Sequence, residues 1–546
     1  ARDGSTSQMP LVAAPRLVPL QPLLNKIPRA NPELTFKFYG LLPEKREAYE
    51  CLAIVGGNLT AEQAVPVGKD GKILVSLGGL PCGDHPLKAV IRHRQTQETL
   101  LEAAYPITLV DIPTIDRSNI RQLNNLVAEL LHQPVGNSAA PQSFHFVNPR
   151  DGWVFVAFTT DTPAKGLTVK IDGRDTVITA ATDRLEAFCE LAMGEHRITV
   201  DGNNAAARLL VRSIPEIFNY PPCVNSHVAE NGSYGWDFMK RHILYAVTTL
   251  NGGVLPGDAL AQSKALGLKW LANFNVDSLG DPAEVRDRME KHAGMTQPQY
   301  DGFTSDELFF ARATIGNYSQ GLKLLSNPQN RLVYTWIVGK PSISSLHTDF
   351  MSTCLNASRG RGRLLFEAYC HPQDNEQAAA AYLDDMIGET IRRFNAFFPG
   401  AAAGTGIIFG NFNQIPIISL EHNPAVDFKY FLDMQVNLIA NSPDFKDLAT
   451  TGYWGTYYGD EELVRWSFKL MRHYAVEGNK EMLSTRYGFK YSPGFLVNGD
   501  FADGLNGWTA SPAAEGSLRT HAIVGYGKNS QGRWGGGSAG DTVCVM

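Results

Sequence analysis

The alternation of apolar and polar positions changes period near residue 217, and that change divides the chain. Between Glu33 and about Asp111, apolar residues recur at every second position in short runs. These are Leu34-Thr-Phe-Lys-Phe38, Lys72-Ile-Leu-Val-Ser76 and Ala89-Val-Ile-Arg-His93, separated by Gly, Pro and Asp. A period of two broken by turn residues predicts strands buried on one face, and so a small β-sandwich over 33–115. The same pattern returns from Phe144 to about Ile214, with Trp153-Val-Phe-Val-Ala-Phe158, Leu167-Thr-Val-Lys-Ile171 and His196-Arg-Ile-Thr-Val200. Asp172-Gly173 and Asp201-Gly202 are hairpin signals within it, so a second β-domain is expected over 143–216. Between the two, Asn119 to Leu131 carries helical spacing, which predicts a helical connector over 116–142. Residues 1–32 hold Pro10, Pro15, Pro19, Pro22 and Pro28 and lack periodicity, as an extended arm lying on a neighbouring surface would.

Beyond Ile217 strand-like runs alternate with helical ones. Strands are expected near 242–249, 268–275, 300–306, 331–338, 363–369, 406–412 and 447–453, with an eighth near 487–491. Helices are expected at 258–266, 282–293, 312–325, 347–357, 375–398, 427–440 and 461–476. Seven or eight βα units predict a (β/α)8 TIM barrel over 217–493. A doubly wound sheet competes, but no Gly-x-Gly-x-x-Gly opens any of the helices. The fold class is therefore multidomain: N-terminal β-sandwich domains, a (β/α)8 barrel, and a C-terminal β segment over 494–546.

Composition narrows the function. The chain has 546 residues, 44% hydrophobic and 19% charged, enough to bury several cores. A formal charge of -6 offers no polycation to phosphates, which argues against nucleic acid as a partner. No apolar run approaches the roughly 20 residues of a membrane span. The 7 cysteines are sparse. Cys51 and Cys82 share one β segment and are either a disulfide or two buried thiols. A first residue Ala1 reads as a processed chain, so a secreted or periplasmic location is expected. No cofactor motif and no zinc ladder is present. Asn275, Asp277 and Asp281 are the oxygen donors that could gather a Ca²⁺, though no metal is otherwise implied. The sequence gives no reading of oligomeric state.

Barrel chemistry sits at the C-terminal ends of the strands, so the residues closing each run are the candidates. The run Gln299-Tyr-Asp-Gly-Phe-Thr-Ser-Asp306-Glu307-Leu-Phe-Phe310 ends in adjacent acids, and Arg363-Leu-Leu-Phe-Glu367-Ala-Tyr-Cys370 carries a single carboxylate amid apolar neighbours. Two such carboxyl groups are the minimum apparatus for cleaving a glycosidic bond. Glu307, backed by Leu308, Phe309 and Phe310, is the expected general acid, and Glu367 the nucleophile or base. Alternation on a strand would keep Asp306 and Glu307 on opposite faces, so one should point inward while the other orients it or caps the next helix. Each acid has a bland alternative, a loop cap or a pairing with Arg359, Arg361 or Arg363. Amides and aromatics at the other strand ends suit sugar hydroxyls and sugar faces: Asn273, Asn275, Trp336, His371, Asn411, Asn413, Tyr453, Trp454 and Tyr457. Trp236 and Asp237, ahead of the first expected strand, are candidates for a terminal sugar.

Three resemblances attach to these residues. Tyr300-Asp-Gly-Phe-Thr-Ser-Asp-Glu resembles the aromatic-Asp-Gly strand of barrel glycosidases, including the chitinase-like group. Asp301, Gly302 and Asp306 match its spacing, but Leu308 stands where that group has its acid, so its mechanism is not implied. The segment 143–216 resembles the immunoglobulin-like modules of secreted polysaccharide enzymes. Phe495-Leu-Val-Asn-Gly-Asp-Phe, followed by Gly504-Leu-Asn-Gly-Trp508, resembles the opening of a carbohydrate-binding jelly roll, here only in part. Together they imply a glycoside hydrolase with a carbohydrate substrate. The alternatives are a noncatalytic glycan-binding protein on a barrel scaffold and, with cations scarce at strand ends, a polysaccharide lyase.

Overall fold

A computed structural model describes residues 15–545 except 22, 57–60, 137–139, 160–167, 176–184, 202–206, 221–233, 253–257, 278, 343, 412–419, 421–422, 424, 457–458, 495–497, 499–502, 510–518 and 523–541. The first β-sandwich packs a three-stranded sheet (16–19, 33–39, 72–76) on a five-stranded one (27–28, 99–110, 83–93, 49–55, 61–66). Alternation puts Leu34, Phe36 and Phe38 inward, where they meet Ile73, Val75, Leu87, Ala89 and Ile91 in one core. The described part of the expected arm touches the barrel through Leu24 and Asn25, which bond Asn356, and it also joins the two sheets. Arg16–Pro19 pairs antiparallel with 33–39, and Ile27–Pro28 pairs with 99–110. Pro19 and Pro28 sit on edge strands, where a missing N–H costs no ladder bond.

Of the two alternatives for Cys51 and Cys82, the disulfide is absent. Cys51 turns into the sandwich core while Cys82 is exposed in the turn before 83–93, so both remain free thiols. The helical connector is also absent. Residues 121–122 and 128–134 are strands, the latter pairing antiparallel with 208–213. The apolar positions that suggest a helix bury on both sides of this strand, Ala128 and Leu130 toward the second sandwich and Leu126 and Val127 toward the barrel. That sandwich opposes a five-stranded sheet (186–191, 152–159, 208–213, 128–134, 121–122) to a four-stranded one (142–148, 194–201, 168–171, 174–175). Asp172 and Gly173, at φ 51° and 79°, form the two-residue hairpin turn that their identities predict.

Ile214 and Pro215 lead straight into a closed parallel barrel of eight strands. They are β1 (Glu216–Tyr220), β2 (Thr249–Asn251), β3 (Lys269–Phe274), β4 (Gly302–Phe309), β5 (Leu332–Val338), β6 (Arg363–Ala368), β7 (Thr405–Gly410) and β8 (Thr450–Trp454). Two expected strands are corrected. Residues 242–246 are helical and β2 begins at Thr249, and no strand forms at 487–491 because β1 already closes the ring against β8. The helices at Ala259–Ala265, Pro282–Lys291, Thr314–Leu324, Ser345–Gly360, Glu376–Phe397, Phe428–Asn441 and Glu461–Met471 alternate with the strands. Asp281, Asn375 and Asp460 cap three of them through their side chains. The barrel interior is filled in layers. At its base Glu216 accepts hydrogen bonds from Thr249 (2.5 Å) and Tyr334 (2.7 Å). Phe218, Leu271, Trp336, Leu365 and Ile408 close the centre. In the C-terminal segment, 519–522 pairs with 542–545, and Trp508 Nε1 donates to the Asn498 carbonyl. The rest of the expected jelly roll lies outside the described residues. No described helix is long and apolar enough to cross a membrane.

Candidate active site

The inward-facing positions that follow the central layer meet at the C-terminal rim, and three of them are carboxylates or their partners. β4 keeps register with β5 up to Ser305 opposite Thr335 and resumes it at Leu308 opposite Ile337. Asp306 and Glu307 together span one position of the neighbour, a bulge in which Glu307 takes φ 54°. The bulge breaks the alternation that would have held the two acids on opposite faces. Leu308 and Phe310 turn outward into the helix layer, Asp306 is half-buried, and Glu307 is exposed. The apolar surroundings expected for Glu307 therefore fall on Asp306 instead.

Asp306 accepts a hydrogen bond from Tyr220 Oη at 3.0 Å, and that oxygen in turn accepts one from Asn273 Nδ2 at 2.9 Å. Burial pushes the Asp306 carboxyl up to about 6, against the opposing Tyr220 bond and with help from the Glu307 charge. Glu367 closes β6 on the same rim. Burial holds its carboxyl well above the usual range, the Glu307 and Asp306 charges add to this, and the Trp336 indole alone opposes. Its Oε2 is buried without a hydrogen-bond partner. Three acids on two strands thus feel one another's charge, with two held toward their neutral forms. That is the pattern of a site needing a proton donor and a carboxylate base together. Tyr369 stacks on Trp454 beside them, ring centroids 5.0 Å apart and planes 23° from parallel. The same three acids raise the Tyr369 hydroxyl, after burial.

The other expected site residues divide. Asn273 and Trp454 belong to the rim. Trp336 is fully enclosed beneath it, 5.6 Å from Tyr220 and 5.8 Å from Phe218, so it is a floor and not a stacking platform. His371 contacts Tyr382, ring to ring at 5.2 Å. Tyr453 points outward between Phe409 and Phe468, fully buried. Asn411 is also fully buried, its side-chain amide unpartnered. Asn275 is exposed and accepts from the Asp277 amide at 2.6 Å, while Asp281 is spent on its helix cap. Among the described residues no group of three or more His, Cys, Asp or Glu is arranged to hold a metal. Trp236 donates to Gln262 at 2.6 Å, and Asp237 pairs with Lys240 at 2.8 Å on the surface. Asn413 and Tyr457 lie outside the described residues. Sequence reading missed Tyr220, because it opens the barrel at 217 but places the first strand near 242–249. The signal available was its place in Glu216-Ile-Phe-Asn-Tyr220, a short buried run after Pro215.

No family model and no curated protein matches the chain. Among solved structures it is similar to a β-glucuronidase from Ruminococcus gnavus, at 10% identity over 80% of this chain and 88% of that one, with a TM-score of 0.31. A ruminal GH26 endo-β-1,4-mannanase matches at 9% identity over 62% and 89%, TM-score 0.24. The ICChI chitinase from Ipomoea carnea matches at 12% identity over 46% and 99%, TM-score 0.28. These likenesses are too low to assign a family, and the function is read from the site.

Proposed function

We propose that the chain is a glycoside hydrolase that cleaves an oligo- or polysaccharide by a two-carboxylate mechanism. The observation that carries this reading is the charge-coupled set of Asp306, Glu307 and Glu367 at the barrel rim, beside the Tyr369 and Trp454 rings. In this reading Glu367, kept neutral by burial, protonates the leaving oxygen. Asp306, oriented by Tyr220, acts as the carboxylate that attacks the anomeric carbon or activates water. Glu307, exposed at the bulge, binds a hydroxyl and sustains the field that keeps Glu367 protonated. The stacked Tyr369 and Trp454 pair offers an apolar edge to a sugar ring.

The test is a panel of aryl glycosides and polysaccharides with wild type, Glu367→Gln, Asp306→Asn and Glu307→Gln. Loss of the general acid should lower kcat about 10²- to 10⁴-fold on substrates with poor leaving groups and much less on activated aryl glycosides. If all four proteins turn over one substrate at the same rate, the mechanism is wrong. Retention on a polysaccharide with no reducing ends released by wild type would replace it with the noncatalytic glycan-binding reading.

A further inference from the structure

A cavity of about 750 Å³ lies at the other end of the barrel, where the first residues of β1, β3, β5 and β6 meet the second sandwich and the segment 112–126. Its lining is unequal in charge. Lys26 is paired with Asp151, and Lys269 with Glu190 at 2.7 Å. Both oxygens of Glu216 are taken by the Thr249 and Tyr334 hydroxyls. Arg117, Arg150, Arg361 and Arg363 remain, and no carboxylate among the described residues lies within ion-pair distance of any of them. Their hydrogen bonds go to neutral oxygens: Arg150 to the Leu126 carbonyl at 3.1 Å and Ser213 Oγ at 3.3 Å, Arg363 to the Gly362 carbonyl at 3.0 Å, and Arg361 to the Asn330 carbonyl.

Two further observations point the same way. The buried polar atoms of this lining that lack a partner are Nε of Arg361, Nε of Arg363 and the Trp153 indole N–H, all donors. Arg150 and Arg363 are also close enough for one to disfavour the other's charge, while Asp447 and Asp151 act on them only from longer range. Like charges gathered in a partly enclosed cavity with counter-charges only at longer range are costly, and an anion placed between them lowers that cost. The remaining wall is apolar, formed by Leu126, Trp153, Ile214 and Leu332.

We propose that this cavity is a second ligand site, separate from the carboxylate rim, that takes a small organic anion. A carboxylate or phosphate group would lie among Arg150, Arg361 and Arg363, with the body of the molecule against Trp153 and Ile214. Guanidinium forks suit the planar and tetrahedral oxygen sets of these groups, and the volume falls within the range of small-molecule pockets. The proposal stands whether or not the rim cleaves a glycan.

The test is titration calorimetry and thermal shift on the full chain with citrate, glucuronate, glucose 6-phosphate and, as the uncharged comparison, glucose. At least one of the three anions should bind and raise Tm while glucose does not, and the citrate and glucuronate arms against the phosphate arm identify the preferred group. Arg363→Met and Arg361→Met should each weaken that binding about tenfold or more, and Glu367→Gln should leave it unchanged. Arg117 is exposed at the cavity wall, so Arg117→Ala preserves the fold and should weaken binding by a smaller factor. The proposal is overturned if none of the anions binds, if glucose binds as well as they do, if the arginine variants bind like wild type, or if Glu367→Gln abolishes the binding.

Discussion

Asp306 pairs an ordinary side chain with an expensive position. Its carboxyl is raised to about 6 in the folded chain, so its ionised form is destabilised relative to the unfolded state. The contribution of Asp306 to stability is fully present below about pH 4, is lost as pH rises toward 6, and stays lost above. Asp306→Asn should therefore stabilise the protein at pH 8 by up to about 3 kcal/mol and leave stability near pH 4 almost unchanged, as denaturant melts at the two pH values would show. The same substitution should abolish turnover, which is the usual trade between a strained site and a stable one. Tyr220→Phe removes the bond that opposes burial. It should move the acid limb of the pH–rate profile above 6, since less of Asp306 is then ionised at any given pH. An unchanged limb would mean that Tyr220 does not set the state of the catalytic carboxylate.

At the level of elements, the barrel closes because two strands carry no side chain where their neighbours press closest. A Cβ on Gly302 would stand 1.9 Å from the Leu332 carbonyl oxygen, and one on Gly452 would stand 2.0 Å from the Phe218 carbonyl oxygen. Backbone cannot yield as a flexible side chain does, so Gly452→Ala should cost about 3 kcal/mol in urea unfolding and loosen β1, whose Tyr220 orients Asp306. The sequence made six of the eight strands legible, because each is a run of apolar residues followed by a stretch of helical period. It hid β1, only five residues long and joined by Ile214 and Pro215 to the preceding sheet, so its Tyr220 went unread. It also hid the bulge at Asp306 and Glu307, since nothing in a linear pattern marks a break in pairing. The acids were legible as a group, but which one is buried was not: that depends on the one-residue slip against β5. Residues 121–134 misled for a related reason, because 128–130 are buried consecutively and 132–134 are exposed, so no period of two is displayed.

Across the whole molecule, the second sandwich and the barrel are one cooperative body. Leu126, Val127, Trp153 and Phe155 of the sandwich lie in the same core cluster as the barrel helices. Arg472, at the end of the helix Glu461–Met471, reaches across to Glu186 with both terminal nitrogens, at 3.0 and 2.7 Å. It also donates to the Tyr245 carbonyl at 2.9 Å and lies 4.7 Å from the centre of the Phe155 ring. The pair is 15% and 12% exposed, so breaking it in this low-dielectric seam is costly. The first sandwich has a core of its own, and its contacts with the barrel include the bonds of Leu24 and Asn25 to Asn356. Calorimetry should therefore resolve two transitions, one for the first sandwich and one shared by the second sandwich and the barrel. Arg472→Met should lower only the shared transition, by about 3 to 5 kcal/mol. If Arg472→Met instead splits the shared transition, the ion pair, and not the common apolar core, is what joins the two.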